Sequence, residues 1–498
     1  MSDTSTLSTA SGTSSAPAKA PSAEDRATQK RNNLVIMLLL VSAFVVILNE
    51  TIMSVALPHL MADLNITANS AQWLTTGFML TMAVVIPITG LLLQRFNTRP
   101  MFIAAMSLFS LGTLIAAMAP GFEVLLAGRI VQATGTAIMM PLLMTTALTL
   151  VPAARRGQTM GNISIVISVA PAIGPTISGL ILSVLDWRWM FIIVLPIALA
   201  ALVLGTFRVR NVSTPTHVKF DVLSVILSAF GFGGLIYGLS NLATTPITSW
   251  QGWAPIAVGV VALVLFVMRQ VALQRTDRAL LDLRTFKTPT FAISIVMLAI
   301  SMMALFGTLI ILPIYMQEVL GLSTLTTGLI LLPGGLLSGL LAPFVGRIFD
   351  RSGPTALLVA GAIIVSGDFW AMTQLNETTP IGFVLLAHIV LSIGLSLLFT
   401  PLFTSSLGSL KPSLYSHGSA IVGTIQQLAG AAGTAVFITV MTSRQASLVA
   451  QGSSEVAGTA SGIQQAFLYG AIISLFAIPA AFFIRKPADT GAALPMGH

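Results

Sequence analysis

Long runs of apolar residues alternate with short polar segments along almost the whole chain. A helix that crosses a bilayer needs roughly 20 apolar residues, and fourteen runs meet this length. They cover approximately residues 34–57, 71–93, 101–119, 122–148, 158–183, 188–207, 220–241, 254–272, 290–316, 326–346, 355–374, 381–403, 418–442 and 464–484. The pattern predicts an all-α polytopic membrane protein with fourteen spans.

Two central runs, 220–241 and 254–272, decide between twelve and fourteen spans. Apart from Asp221 and Arg269 near their ends, both runs lack charged residues. Leaving them out would create a largely apolar loop of about 80 residues, which is far longer than ordinary connections. We therefore count both runs as spans.

Basic residues are concentrated in every second loop and at both ends of the chain. Nearly all of the 24 Lys and Arg residues follow this rule, and Arg129 stands out because it lies inside an apolar run. Cytoplasmic loops of membrane proteins carry the excess of basic residues. Both termini are therefore expected in the cytoplasm, which requires an even number of spans.

The composition excludes several functional classes. The chain is 55% hydrophobic and 8% charged, with a mean hydropathy of +0.92, whereas soluble domains are about 25% charged. It has no cysteine, so it forms neither disulfides nor thiolate metal sites. No P-loop motif is present, and the net charge of +8 lies in loops rather than in a nucleic-acid-binding patch. We expect no cofactor, no metal and no enzymatic activity.

The two halves of the chain resemble each other. The segment 125–142, LLAGRIVQATGTAIMMPL, aligns with 385–402, and the loop motif that begins at Gly90 recurs at Gly346. These matches, together with a shared Thr-Thr-Gly, occur in the same order at offsets near 251–260. Duplicated bundles with a site between them are typical of secondary transporters. The sequence therefore predicts two homologous six-helix bundles that flank two extra helices.

The predicted organisation has six parts. They are a disordered cytoplasmic tail (1–32), an N-terminal six-helix bundle (33–210), two extra transmembrane helices (211–273), an amphipathic linker on the cytoplasmic membrane surface (274–288), a C-terminal six-helix bundle (289–486) and a cytoplasmic tail (487–498).

Several motifs resemble those of the major facilitator superfamily. Its G-x-x-x-D-R-x-G loop signature is nearly complete in the second half but degraded in the first, where Gln94 replaces the acid. Span 4 resembles the proton-coupling motif R-x-x-Q-G-x-G, and span 5 resembles the antiporter motif of drug exporters. With fourteen spans and the segment LNETIMSVALPHLM, the chain is most similar to the lincomycin-resistance subgroup of the 14-span drug:proton antiporter branch.

The resemblance implies a proton-driven exporter of amphipathic drugs or antibiotics that works by alternating access in a bacterial inner membrane. Its expected partners are a small amphipathic substrate, protons and the lipid bilayer, and it is expected to function as a monomer. Alternatives are an exporter of an endogenous metabolite or lipid and a proton-coupled nutrient symporter.

The implied cytoplasmic gate comprises Gly90, Arg95, Arg99, Gly346, Asp350 and Arg351, and the antiporter motif comprises Gly174, Pro175 and Gly179. We expect that motif at a tight interface between the bundles.

Three ionisable residues inside spans are candidates for proton coupling. Glu50 and Arg129 are expected at similar depth in the outer half of the N-terminal bundle, at 1.5 Å of helix rise per residue. Intramembrane charges usually face the bundle interior and pair. The two could form a static ion pair, couple to protons or recognise a cationic substrate. Asp368 could be a second proton or cation site or a solvated residue near the outer interface, and His388 is a further titrating candidate.

The position of Glu50 differs from the pattern of the branch. Where the branch has L-D-x-T-x-x-N-V-A-L-P, Asn49 occupies the aspartate position, and Glu50 follows one residue later, about 100° around the helix. Either Glu50 reaches the cavity from another wall, or Asn49 faces the cavity and Glu50 faces Arg129.

The 22 Met and 26 Phe residues suit an adaptable apolar substrate cavity. Its polar wall is predicted to contain Asn49, Gln132, Tyr315, Gln317, Gln426 and Gln427.

Overall fold

The structure is a computed structural model that describes residues 23–212, 215, 221–241 and 250–485. Within these ranges, 14 helices are long and apolar enough to cross a membrane, which confirms the predicted count. The helices are α1 (Ala23–Asp63), α2 (Ala68–Arg95), α3 (Thr98–Ala117), α4 (Phe122–Leu150), α5 (Arg156–Leu182), α6 (Trp189–Arg208), α7 (Val222–Asn241), α8 (Trp250–Leu273), α9 (Pro289–Ile314), α10 (Thr324–Ser352), α11 (Thr355–Met372), α12 (Ile381–Gly408), α13 (Tyr415–Ala450), α14 (Glu455–Leu475) and the short α15 (Ala477–Ala481).

The N-terminal boundary differs from the prediction. Helix α1 begins at Ala23, so residues 23–32 of the predicted disordered tail are helical. This stretch contains Arg26, Lys30 and Arg31 and was assigned to the tail because it is polar. Charged residues are good helix formers, however, and they extend a transmembrane helix beyond the apolar core. Residues 1–22 and the predicted tail 487–498 lie outside the described residues.

The helix contacts repeat in the two halves of the chain. In the first half, α4 packs against α2 and α3, α5 against α1, and α6 against α3. In the second half, α12 packs against α10 and α11, α13 against α9, and α14 against α11. Each of these pairs occupies the same place in its repeat. The duplication inferred from the sequence therefore appears as a duplicated arrangement of helices.

The two halves meet along two seams, which we name after their helices: the α2–α13 seam and the α5–α10 seam. Two hydroxyl pairs lie between the halves. The hydroxyl oxygens of Thr145 and Ser419 are 2.7 Å apart, and Thr400 Oγ1 donates to Ser164 Oγ at 3.0 Å. Helices α2 and α10 occupy equivalent places in the repeat, and so do α5 and α13, so the two seams are equivalent to each other.

The two extra helices pack against each other beside the α2–α13 seam. Helix α7 contacts both α2 and α13, so it touches both halves of the molecule. On α2, the ring of Trp73 stacks on Tyr237 of α7 with centroids 5.6 Å apart. The extra pair is therefore attached to the two bundles at one seam.

The linker between α8 and α9 contains two short 3₁₀ helices, Gln274–Thr276 and Leu283–Lys287. Leu280 and Leu281 between them are 0% and 3% exposed, so these apolar residues pack against protein. A pattern of apolar and polar residues does not distinguish burial in lipid from burial against protein. The place of the linker on the cytoplasmic membrane surface stays a prediction.

Candidate functional site

Arg129 lies at the centre of a buried polar cluster in the N-terminal half. Its side chain is 1% exposed, and its Nη1 donates to Asn49 Oδ1 at 3.1 Å and to Gln132 Oε1 at 2.6 Å. Gln132 Nε2 in turn donates to Thr113 Oγ1 at 2.8 Å. The guanidinium carbon lies 4.1 Å from the centroid of the Phe78 ring, a favourable position for a cation. Residues of α1, α2 and α3 thus surround the single positive charge that Arg129 carries on α4.

Glu50 lies beside this cluster without a direct ion pair to Arg129. The two charges are electrostatic neighbours, but the ion pairs within the described residues involve other groups. Asn49 is 2% exposed, whereas Glu50 is only partly buried. Asn49 rather than Glu50 contacts Arg129, which contradicts the alternative in which Asn49 faces the cavity and Glu50 faces Arg129. A single α-helix step of about 100° separates the directions of the two side chains.

Gly174 of the antiporter-like motif packs inside the N-terminal half, although α5 itself also forms the seam with α10. Gly174 on α5 lies against α1, where a Cβ would come within 2.9 Å of the Thr51 Cβ. The Thr51 hydroxyl also donates to the Ala170 carbonyl at 3.3 Å. Gly179 has open space around its Cα, and the side chain of Pro175 lies outside the described residues. The small residues therefore let α5 approach the α1 segment that carries Asn49 and Glu50.

A cavity of about 400 Å³ lies between α5 and three helices of the C-terminal half, α9, α10 and α12. Its wall is mostly apolar, with residues such as Ile167, Leu309 and Phe399. Its polar groups come from Ser168, Gln317, Thr327, Ser338, His388 and Ser392. A mostly apolar cavity with a few polar groups is the usual form of a small-molecule site.

Of the predicted cavity residues, Gln317 lines this cavity, and the structure places the other five elsewhere. Asn49 and Gln132 bind Arg129. Tyr315 is 0% exposed and its hydroxyl donates to the Asn376 carbonyl at 2.6 Å. Gln426 and Gln427 are partly buried on α13, and Gln427 approaches Met82 of α2. The prediction relied on residue type and depth, which do not give the direction of a side chain around its helix.

His388 lines the cavity with a defined tautomer. Its Nε2 lies 3.1 Å from the Leu331 carbonyl oxygen, which can only accept a hydrogen bond. In the neutral imidazole, Nε2 therefore carries the hydrogen and Nδ1 is an acceptor. Nδ1 has no hydrogen-bond partner within the described residues. His388 is thus a hydrogen-bonding residue on a wall that is otherwise largely apolar.

Asp368 on α11 is buried, which excludes the solvated alternative. It is 5% exposed, and its Oδ2 has no hydrogen-bond partner in the described part of the chain. The cavity wall does not include it. Its role in proton coupling remains a prediction.

The second-half gate motif contacts the first turn of α5. Asp350 Oδ1 accepts the Gly157 N–H at 2.8 Å, and Oδ2 accepts the Gln158 N–H at 3.0 Å. A carboxylate is stabilised by these free N–H groups and by the positive end of the helix dipole. Gly157 and Gly346 bring the backbones together, since a Cβ on Gly157 would lie 2.5 Å from the Gly346 carbonyl oxygen. The cytoplasmic ends of α5 and α10 are therefore closed against each other.

The first-half gate motif contacts α13 through Gly90 and Gln94. A Cβ on Gly90 would lie 3.2 Å from the Ala420 Cβ, and Gln94 Nε2 is 2.8 Å from His417 Nε2. The side chains of the three predicted gate arginines, Arg95, Arg99 and Arg351, are exposed. They lie at the cytoplasmic face rather than between the bundles.

Sequence reasoning missed Phe78, Thr113, Asp282 and His417. Phe78 and Thr113 contact the Arg129 cluster from α2 and α3, and nothing in their local sequence marks them among many similar residues. His417 had a usable signal, because it lies at the start of the span equivalent to α5. No group of three or more potential metal ligands occurs among the described residues.

Comparisons with known proteins agree with the family resemblance of the sequence motifs. The model of the Major Facilitator Superfamily matches residues 39–434. The chain is 43% identical to the Lincomycin resistance protein LmrB of Listeria monocytogenes over 90% of this chain and 95% of that protein. It is 41% identical to the "Uncharacterized MFS-type transporter YcnB" of Bacillus subtilis, over 91% and 95% of the two chains.

The fold also matches a solved structure. The crystal structure of the human organic anion transporter MFSD10 (TETRAN) aligns with a TM-score of 0.65 at 14% identity, and covers 91% of this chain and 99% of that one. At this identity the likeness concerns the fold alone. Together with the family match, the relatives and the fourteen spans, it shows that the chain belongs to the major facilitator superfamily and is a multi-pass transporter of the cell membrane, not an enzyme.

Proposed function

We propose that the protein exports amphipathic drugs or antibiotics across the cell membrane in exchange for protons, by alternating access. The observation that carries this proposal is Glu50, a partly buried carboxyl beside the fully buried Arg129 without a direct ion pair. A static structural pair would place the two groups in contact. A carboxyl that is only an electrostatic neighbour can gain or lose a proton without breaking such a pair.

The cavity supports the substrate class. Its mostly apolar wall and few polar groups suit a molecule that is itself largely apolar with some hydrogen-bonding groups. Glu50 is not on the cavity wall, so direct recognition of a cationic substrate by Glu50 is disfavoured. The name of the lincomycin-resistance relatives agrees with an antibiotic as the substrate.

The proposed cycle uses the two seams as the cytoplasmic gate. With these seams closed, a proton from the outside reaches Glu50 and substrate leaves to the exterior. When the seams open, Glu50 releases the proton to the cytoplasm and the cavity takes up substrate. Asp368 is proposed as a second proton site in the C-terminal half. The contacts of Asp350 with Gly157 and Gln158 hold the closed state.

The proposal is tested with purified protein in proteoliposomes that carry an imposed proton gradient and a pH-sensitive dye. Adding lincomycin on the cytoplasmic side should release protons in the opposite direction, and collapsing the gradient should stop lincomycin accumulation. Accumulation that survives the collapse would contradict antiport. Substrate and protons that move in the same direction would indicate a symporter instead. Proton release driven by a membrane lipid or metabolite but by no drug would contradict the substrate class.

His388 gives a test of the cavity. Substituting leucine removes the hydrogen-bonding group but keeps an apolar wall, and losing one hydrogen bond costs about 0.5–1.5 kcal/mol. We expect the KM for lincomycin to rise roughly three- to tenfold in His388→Leu, with a smaller change in kcat. Gln426→Leu is the matched control, because Gln426 is a partly buried polar residue that does not line the cavity. A larger KM effect in the control than in His388→Leu would place the substrate elsewhere.

A further inference from the structure

The two seams close with different chemistry at their cytoplasmic ends. At the α5–α10 seam, the carboxylate of Asp350 accepts two backbone N–H groups at the start of α5. At the α2–α13 seam, the repeat-equivalent residue is Gln94, a neutral amide whose Nε2 approaches His417 and the Ser413 carbonyl. The first-half loop therefore gives the start of α13 no carboxylate of the kind that α5 receives from Asp350.

The linker brings a carboxylate close to the start of α13. The His417 side chain contacts the Leu280 backbone. Asp282, two residues further along, is 3% exposed and is an electrostatic neighbour of the buried His417. Burial of Asp282 favours its neutral form, but hydrogen bonds from the Arg284 backbone and side chain outweigh this and lower the pKa of Asp282. Arg284 Nε lies 2.8 Å from Asp282 Oδ2. The group is thus a fixed negative charge at neutral pH.

The extra helices hold this part of the linker in place. On α8, Gln270 Oε1 accepts the Leu280 N–H at 2.7 Å and the Leu281 N–H at 3.3 Å. Gln270 Nε2 donates to Ser224 Oγ on α7 at 2.8 Å, and Gln270 and Ser224 are both 0% exposed. Buried amides that satisfy backbone groups in this way fix the path of the chain.

A salt bridge joins the cytoplasmic ends of the extra helices. Arg269 Nε and Nη2 bind the two carboxylate oxygens of Asp221, both at 2.7 Å. Such paired hydrogen bonds between arginine and a carboxylate fix orientation as well as distance. Because α7 also contacts α2 and α13, the extra helices and the linker form one unit beside the α2–α13 seam.

We propose that Asp282 is a positioning residue of the cytoplasmic gate: from the linker, it supplies the carboxylate that the first-half loop lacks at Gln94, and so stabilises the closed α2–α13 seam. The two extra helices then have a defined task, which is to hold this carboxylate at the start of α13. The proposal rests on the alternating-access function proposed above.

The test measures opening of the gate directly and needs no substrate. Because the chain has no cysteine, the single substitution Ser164→Cys provides a reporter. Ser164 is 2% exposed and contacts Thr400 across the halves, so a membrane-impermeant thiol reagent reaches it from the cytoplasm when the seams open. We expect Asp282→Asn in this background to raise the labelling rate roughly three- to tenfold, as expected for losing a carboxylate near a helix start.

The matched control is Asp277→Asn. Asp277 also binds Arg284, at 2.5 Å, but its side chain is 77% exposed, so its loss should leave labelling unchanged. Restoring an acid at the equivalent position with Gln94→Asp should return labelling of Asp282→Asn toward the wild-type rate, which a merely structural defect would not allow. His417→Gln is a second variant in case Asp282→Asn does not fold. It removes the group that faces Asp282, and the same rise in labelling is expected.

Labelling of folded Asp282→Asn at the wild-type rate would overturn the proposal, and so would an equal effect of Asp277→Asn. A rise without rescue by Gln94→Asp would also overturn it, because the carboxylate would then act by another route. Labelling is measured without substrate or proton gradient. The effect of Asp282 on gate opening can therefore be interpreted even if the drug-transport assay fails.

Discussion

Glu50→Gln is expected to abolish drug-driven proton release, with a fall of at least about tenfold in the proteoliposome assay. Glutamine keeps the size and the hydrogen-bonding capacity of the side chain but cannot take up or release a proton. The neighbouring hydrogen bonds of Arg129 go to Asn49 and Gln132, so the cluster should remain intact. Binding of lincomycin to the variant, measured by calorimetry, should change by less than about threefold, because Glu50 lies outside the cavity wall.

Glu123→Gln is the matched control for this prediction. Glu123 is exposed in the first turn of α4, the helix that carries Arg129, and it undergoes the same chemical change. Proton release by Glu50→Gln at the wild-type rate would contradict the coupling role of Glu50. Loss of proton release in Asp368→Asn alone would then assign that role to the buried carboxyl of α11.

Gly346→Val is expected to prevent closure of the cytoplasmic gate. A Cβ at this position would overlap the Gly157 carbonyl oxygen and lie 2.7 Å from the Gly157 carbonyl carbon. Overpacking of this kind costs about 1–3 kcal/mol, and the cost applies only while the seam is closed. We expect labelling of the Ser164→Cys reporter to rise about tenfold or more, and transport to fall by a similar factor.

Gly367→Val controls for the effect of a β-branched residue in a transmembrane helix. Gly367 is exposed on α11, with open space around its Cα, so valine should change neither labelling nor transport. If Gly346→Val folds and transports as the wild type does, the close contact of the two glycines is not required for the cycle.

The sequence was sufficient for features that depend on composition and repetition. The number of spans follows from the length of apolar runs, and the duplicated bundles follow from matches such as Gly90 with Gly346. The loop motif singled out Asp350 as a gate residue, and its contact with the start of α5 is an interaction that a carboxylate favours at a helix N-terminus.

The sequence was insufficient where the outcome depends on which way a side chain points. Asn49 rather than Glu50 binds Arg129, and Gly174 faces Thr51 on α1 rather than the other bundle. In both cases the residue types were informative, but a rotation of about 100° per residue decides the partner. The burial of Leu280 and Leu281 against protein was not predictable for a related reason, because both residues would be equally apolar against lipid.

The two seams between the halves have an evolutionary consequence. Helix α2 meets α13, and the equivalent of α2, α10, meets the equivalent of α13, α5. This reciprocity is the defining property of an isologous contact in a twofold-symmetric dimer, where the same patch is used on both subunits. The closed transporter therefore retains the interface that two copies of a single six-helix ancestor would form. The exchange of an acid for Gln94 at one seam is a break in that symmetry, which became possible once the two halves were joined in one chain.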